Sequence, residues 1–154
     1  MKWLFTIYIG LFVAGFTAPA QTYEERAVAA VLMGEAWSEG ATGMTAVANV
    51  IHQRVIEKGR TPLEVVAAHG ERIHAFSCVD GTSLDQLIQK FSRERDYGHA
   101  LQIAQTLCRT PDSLPDLVAS ADHYTLADEH PYWARGRQPV ARIGRLAFYR
   151  LRDR

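Results

Sequence analysis

The 154-residue chain carries 17 lysines and arginines against 17 aspartates and glutamates, a formal net charge of zero. That balance gives no overall field for a polyanion, so nucleic-acid binding has no electrostatic support. The length fits one domain with a core large enough to fold alone, expected to work as a monomer.

Met1 and Lys2 form a short basic start, Trp3 through Phe16 an uncharged apolar run, and Ala18 and Ala20 the small residues that a signal peptidase reads. The pattern predicts an export signal over 1–20, cut after Ala20, and a domain over 21–154. A retained anchor is the rival reading, but a run of roughly 14 residues falls short of the 20 or so that a spanning helix needs. No stable membrane anchor is therefore expected after cleavage, and the destination is the periplasm or the cell exterior. Cys78 and Cys108 are the only cysteines, and in an exported chain a pair reads as one disulfide more readily than as two buried thiols that never meet. Closing a loop of about 30 residues would stabilise the fold by about 3 kcal/mol.

Thr22 is placed to cap a first helix, with Glu25 completing a capping box, and this helix should run to about Glu35. Its apolar positions Ala27, Val28, Val31, Leu32 and Ala36 are too many for a narrow stripe, which predicts a central helix buried on most sides. A second helix is predicted from near Thr42 to Lys58, stopped by Gly59, with His52 and Arg54 as surface or interhelical polar residues. Thr61 and Pro62 start a short third helix that Gly70 closes. Ile73 to Cys78 reads as loop or extended chain. Short helical sequence over Leu84 to Phe91 precedes a longer helix from about Arg93 to Cys108. Asp122 to Leu126 reads as a brief strand and Leu146 to Arg150 as a final one, with Gly144 at its entry. The fold class is thus mainly helical α+β, with four or five helices and a small antiparallel ribbon late in the chain.

Glu35 ends the apolar run Ala27 to Met33 and is followed by Trp37, Ser38, Glu39 and a run of small residues. A helix C-terminus is the negative end of the dipole, where a basic residue is the ordinary choice. A carboxyl group half in apolar surroundings there has the environment of a general acid. An exposed last-turn residue is the blander reading.

Gly34, Glu35 and Ala36, then Glu39, the helix Met44 to Arg54, Phe76, Ser77 and Cys78, His123 and Tyr124, Trp133, and the closing Ile143 to Arg150 together resemble the SleB-type cell wall hydrolases, the spore cortex-lytic enzymes and their relatives. The resemblance spans roughly Ala27 to Arg150. It implies a lysozyme-like fold acting on peptidoglycan, with Glu35 as catalytic acid and no metal or other cofactor, in an enzyme that is muramidase-like or a lytic transglycosylase. Trp37 and Ser38 stand where the family commonly has Arg and Gly, and His74 and Ala75 where relatives often have Gly and Gln.

Glu39 is the nearest candidate for a second carboxylate; if the turn stays helical, the two acids face each other across it at roughly 5 to 6 Å between β-carbons. A capping role at the start of the second helix is the favoured reading of Glu39. One acid then remains, which suits a lytic transglycosylase better than hydrolysis. Trp37, Phe76, Tyr124, Tyr132, Trp133 and Tyr149 could stack on sugar faces, with Ser77 and His123 as polar contacts, although core packing is the commoner role for such rings. A zinc amidase is the enzyme rival, yet His69, His74, His99, His123 and His130 lack the spacing of a helical zinc motif. A non-catalytic wall-binding protein is the alternative from another class. The arginines at 135, 137, 142, 145, 150, 152 and 154 make the tail locally basic, either a solvated face or a surface for an anionic polymer.

Overall fold

The computed structural model describes residues 19–68 and 76–151. The first 18 residues of the predicted export signal, His69, Gly70, Ile73, His74, Ala75, Arg152 and Arg154 lie outside the described residues.

Helix α1, Tyr23–Ala36, begins with the expected capping box: Thr22 Oγ1 accepts the Glu25 N–H at 3.2 Å, and Glu25 Oε2 accepts the Thr22 N–H at 3.1 Å. The same Glu25 carboxylate takes two bonds from the Arg109 guanidinium, at 2.5 and 2.9 Å, at the end of α5, Tyr97–Arg109. From Ala27 to Met33 no residue exceeds 1% exposure. With no polar stripe to turn outward, the helix is wrapped by α2 (Gly40–Lys58), α3 (Pro62–Val66), α4 (Leu84–Phe91) and α5. Full burial of each of Val28, Val31, Leu32 and Met33 contributes about 1.5–3 kcal/mol, so this helix carries much of the core.

The remaining helices start where capping chemistry places them. Thr61 and Glu64 form a box at α3, with Pro62 in the first turn, and Ser83 and Gln86 form one at α4. Gly59 ends α2 in the left-handed region, φ 59°, its N–H bonded to Val55 O. Helix α5 starts four residues later than its sequence suggests, because Arg93, Glu94 and Arg95 have no apolar side to bury and Tyr97 is the first core residue. Ser77–Val79 folds as a 3-10 turn rather than as loop or extended chain.

Late in the chain, β1 (His123–Leu126), β2 (Ala141–Ile143) and β3 (Leu146–Tyr149) form an antiparallel sheet in the order β1-β3-β2. The expected ribbon thus gains a strand, β2, whose three residues are too short to announce themselves. Gly144 and Arg145 make the two-residue turn into β3, with Gly144 at φ 55°. Alternation along the strands sorts the side chains. Tyr124, Leu126, Leu146 and Phe148 face the helical core, while His123, Ala147 and Tyr149 share the other face with Trp133 and Ala134.

The expected disulfide is absent: Cys78 and Cys108 are both free. Cys78 packs on α1 at Gly34 and bonds Val31 O through its thiol, whereas Cys108 feels the charges of Glu24 and Glu25. Those stations on α1 are roughly 10 Å apart along the axis, beyond the span of an S–S bridge. Among the described residues no helix is long and apolar enough to cross a membrane.

Candidate active site

Helix α1 stops at Ala36, whose φ of −138° and ψ of 16° leave the helical region, and Trp37–Glu39 forms a 3-10 turn into α2. The break settles the geometry of the two acids: Glu35 and Glu39 do not share a continuous helical face.

Glu35 is half-buried and held by three donors from two other parts of the fold. Its Oε1 accepts the Cys78 backbone N–H at 2.8 Å and the Ser77 hydroxyl at 3.2 Å, and its Oε2 accepts the Tyr124 hydroxyl at 2.6 Å. Gly34 makes this possible. A Cβ there would come within 2.6 Å of Cys78 Cβ and 2.9 Å of its Sγ, so only glycine lets the Ser77–Val79 turn approach closely enough for its backbone to reach the acid. Burial first, and the Glu35 charge second, push the Tyr124 phenol well above its ordinary value, which keeps it a hydroxyl donor. Burial likewise pushes the Cys78 thiol up, which keeps it out of nucleophilic chemistry.

Behind the pair lies Arg54. Its guanidinium sits 5.2 Å from the centroid of Phe76 and donates from Nε to Asp122 O at 2.9 Å. Burial lowers its pKa, but it remains a cation, close enough for its charge to be felt by Tyr124 and Glu35. The sequence reading left Arg54 among surface or interhelical polar residues. Its place three after Ile51 and seven after Val47, in line with the apolar stripe of α2, was the signal that it points inward.

Glu39 occupies the N-cap position of α2 but makes no capping bond, contrary to the favoured sequence reading. Its Oε2 accepts the Arg145 backbone N–H at 3.0 Å, and its Oε1 accepts the Arg145 Nε at 3.0 Å and the Ser38 hydroxyl at 3.1 Å. Arg145 Nη2 also donates to Ser38 Oγ at 2.8 Å. Two glycines leave the space: a Cβ on Gly43 would fall on Glu39 Cβ, and one on Gly144 would fall on Glu39 Oε2. The Arg145 N–H, then its guanidinium, hold the Glu39 carboxyl below the ordinary carboxylate value.

The aromatic residues separate. Phe76 is 1% exposed and packs behind Tyr124 at 6.5 Å, so it offers no face to a sugar. Tyr124 joins Glu35. His123, Trp133 and Tyr149 gather on the outer face of the sheet, away from Glu35, because neighbouring strand residues point to opposite sides. Trp37 is 53% exposed, and its indole N–H donates to Asp96 Oδ2 at 3.0 Å. Asp96 stands at the N-cap of α5 without capping it; its carboxylate fixes Trp37 instead. Among the described residues no three His, Cys, Asp or Glu side chains converge in a metal-binding arrangement.

Residues 38–149 match the family model described as Cell Wall Hydrolase, a span that takes in Ser77, Cys78, Tyr124 and Arg145 and begins just past Glu35. No curated protein and no solved structure matches the chain.

Proposed function

The chain belongs to the Cell Wall Hydrolase family, whose substrate is peptidoglycan, and from that premise we propose that it cuts the glycan backbone between N-acetylmuramic acid and N-acetylglucosamine as a lytic transglycosylase, with Glu35 as its single acid and base. The observation that carries the proposal is the contrast between the two carboxyl groups. Glu35 receives three neutral donors and, among the described residues, forms no ion pair, while both oxygens of Glu39 are taken up by Arg145 and Ser38.

In this mechanism protonated Glu35 gives its proton to the glycosidic oxygen as the bond to C1 breaks and positive charge builds on the sugar ring. The Cys78 N–H on Oε1 and the Tyr124 hydroxyl on Oε2 then hold the carboxylate that remains. That carboxylate takes the proton of the same sugar's 6-hydroxyl while O6 closes on C1. The products are a 1,6-anhydro end and a free 4-hydroxyl, and no water is consumed. Hydrolysis of the muramidase type needs a second group to activate water, a task that the Arg145 clamp on Glu39 disfavours. The same reading takes a lysozyme-like catalytic domain over 21–154, residues 1–20 as an export signal, and action as a monomer in the periplasm or outside the cell.

The test is to incubate the chain and its Glu35→Gln variant with purified peptidoglycan and identify released fragments by mass spectrometry. Anhydro-muropeptides from the parent alone are expected. Reducing ends would replace the proposal with hydrolysis, freed stem peptides with an amidase, and silence from both proteins with a wall-binding role.

A further inference from the structure

The outer face of the sheet carries a second group of side chains that the Glu35 chemistry does not use. Asp122, 1% exposed, lies just before β1, and its Oδ1 accepts the Leu151 N–H at 2.8 Å while facing His123 Nδ1 at 3.0 Å. A buried carboxylate beside Nδ1 orients the ring with Nδ1–H as donor, which leaves Nε2 as the outward atom. The imidazole, 38% exposed, lies 5.3 Å from the half-exposed Trp133 ring, and Trp133 meets Tyr149 edge-on at 5.5 Å and 84°.

The hydrophobic cluster beneath is small, built on Ala134, Ala147 and Tyr149. A core of that size has no need of a histidine held in one orientation by a buried acid. Tyr132, beside Trp133 on the same 3-10 turn, is 74% exposed, and Arg135 and Arg137 follow it, both exposed. An aromatic surface and one fixed imidazole nitrogen thus share this face, and the exposed Tyr132, Arg135 and Arg137 lie on the same short stretch of chain as Trp133.

We propose that this cluster is a second saccharide-binding subsite, on the face of the sheet opposite Glu35, which holds another stretch of wall glycan. A sugar ring has an apolar C–H face and a rim of hydroxyls. The exposed part of the aromatic surface takes the face, His123 Nε2 takes a hydroxyl, and the arginines suit the carboxylates that muramic acid and its stem peptides carry. The identity of the polymer rests on the reading of the chain as a peptidoglycan-cleaving enzyme; the geometry of the subsite does not.

The test uses the full chain in a Glu35→Gln background, so that nothing is cleaved during binding. His123→Ala and Trp133→Ala are compared with that background by co-sedimentation with purified sacculi and by calorimetric titration with a soluble β-1,4-linked N-acetylglucosamine tetramer. Each substitution is expected to weaken sacculus binding about tenfold, measured at a temperature where melting curves show the variant folded, and Trp133→Phe, which keeps a ring against Tyr149, to recover most of it and to serve should Trp133→Ala not fold. Undiminished binding in both variants would overturn the proposal. So would a loss that the soluble tetramer neither shares nor competes with, since the arginines alone would then explain it. Fragment release reports separately: a parent that cleaves nothing while the variants lose binding removes the catalytic reading and leaves this one, and cleavage with unaltered binding does the reverse.

Discussion

Glu35 and Glu39 stand on either side of the break that ends α1, and the fold treats them in opposite ways. Around Glu35 it assembles neutral donors from the Ser77–Val79 turn and from β1, with the Arg54 cation set behind Phe76 and Tyr124. Around Glu39 it places a guanidinium and a backbone N–H from the β2–β3 turn, with glycines on both sides to receive the carboxylate. Two acids of similar sequence context thus acquire different surroundings, one a set of neutral donors and the other an ionic tie between the first helices and the sheet. Neighbourhood in the chain does not make a catalytic pair; the partners each acid acquires decide its role.

The sharpest way to break this comparison is to neutralise each acid in turn. Glu35→Gln should lower fragment release from peptidoglycan by about 100 to 10,000-fold and leave the melting curve nearly unchanged, whereas Glu39→Gln should do the opposite, lowering the melting temperature while turnover persists. Equal loss of turnover in both would make Glu39 a second catalytic carboxylate. Next in size, Gly34→Ala should move the Ser77–Val79 turn off Glu35, costing about 1–3 kcal/mol in chemical denaturation together with most of the turnover. Were only stability to fall, the close approach of Cys78 would be a packing feature alone.

The smallest effect sharpens the Glu39 side. Its carboxyl is held below the ordinary value of 4.5, so it binds a proton more weakly folded than unfolded. The stabilisation is therefore present above about pH 4.5 and is lost as pH falls through the folded value. Arg145→Ala, which removes the guanidinium but keeps the backbone N–H, should flatten that acid limb in part in melting curves recorded against pH. A residual slope should remain, because Arg109 lowers Glu25 in the same direction. An unchanged acid limb would show that the Arg145 guanidinium adds nothing to stability.

The helices were legible because their signals are local: Thr22 with Glu25, Thr61 with Pro62, and Gly59 are complete within one turn of chain. The position of Glu35, at the end of a buried helix, was legible for a related reason: it closes an apolar run. Its partners and the fate of Glu39 were not. Ser77 and Tyr124 meet the acid from 42 and 89 residues away, and Arg145 meets Glu39 from 106, separations over which no periodicity carries information. Phe76, His123, Tyr124, Trp133 and Tyr149 stood out together in the sequence, yet the division that sends Tyr124 to the core side of the sheet and His123 and Tyr149 to the outer side depends on strand register, which β3 imposes on β1.

The burial of α1 on every side has a consequence in time. Among the described residues it is the first helix to be made, and the helices that cover it come later, ending with α5, which closes over it through Arg109 and Glu25. A chain that emerges in order therefore presents its most apolar helix well before its cover, a long-range closure that slows assembly and favours holding the segment unfolded until the rest arrives. The donors to Glu35 come 42 to 89 residues behind it. The acid thus gains its full setting only when β1 docks, and an unfinished chain carries a glutamate but not yet a site.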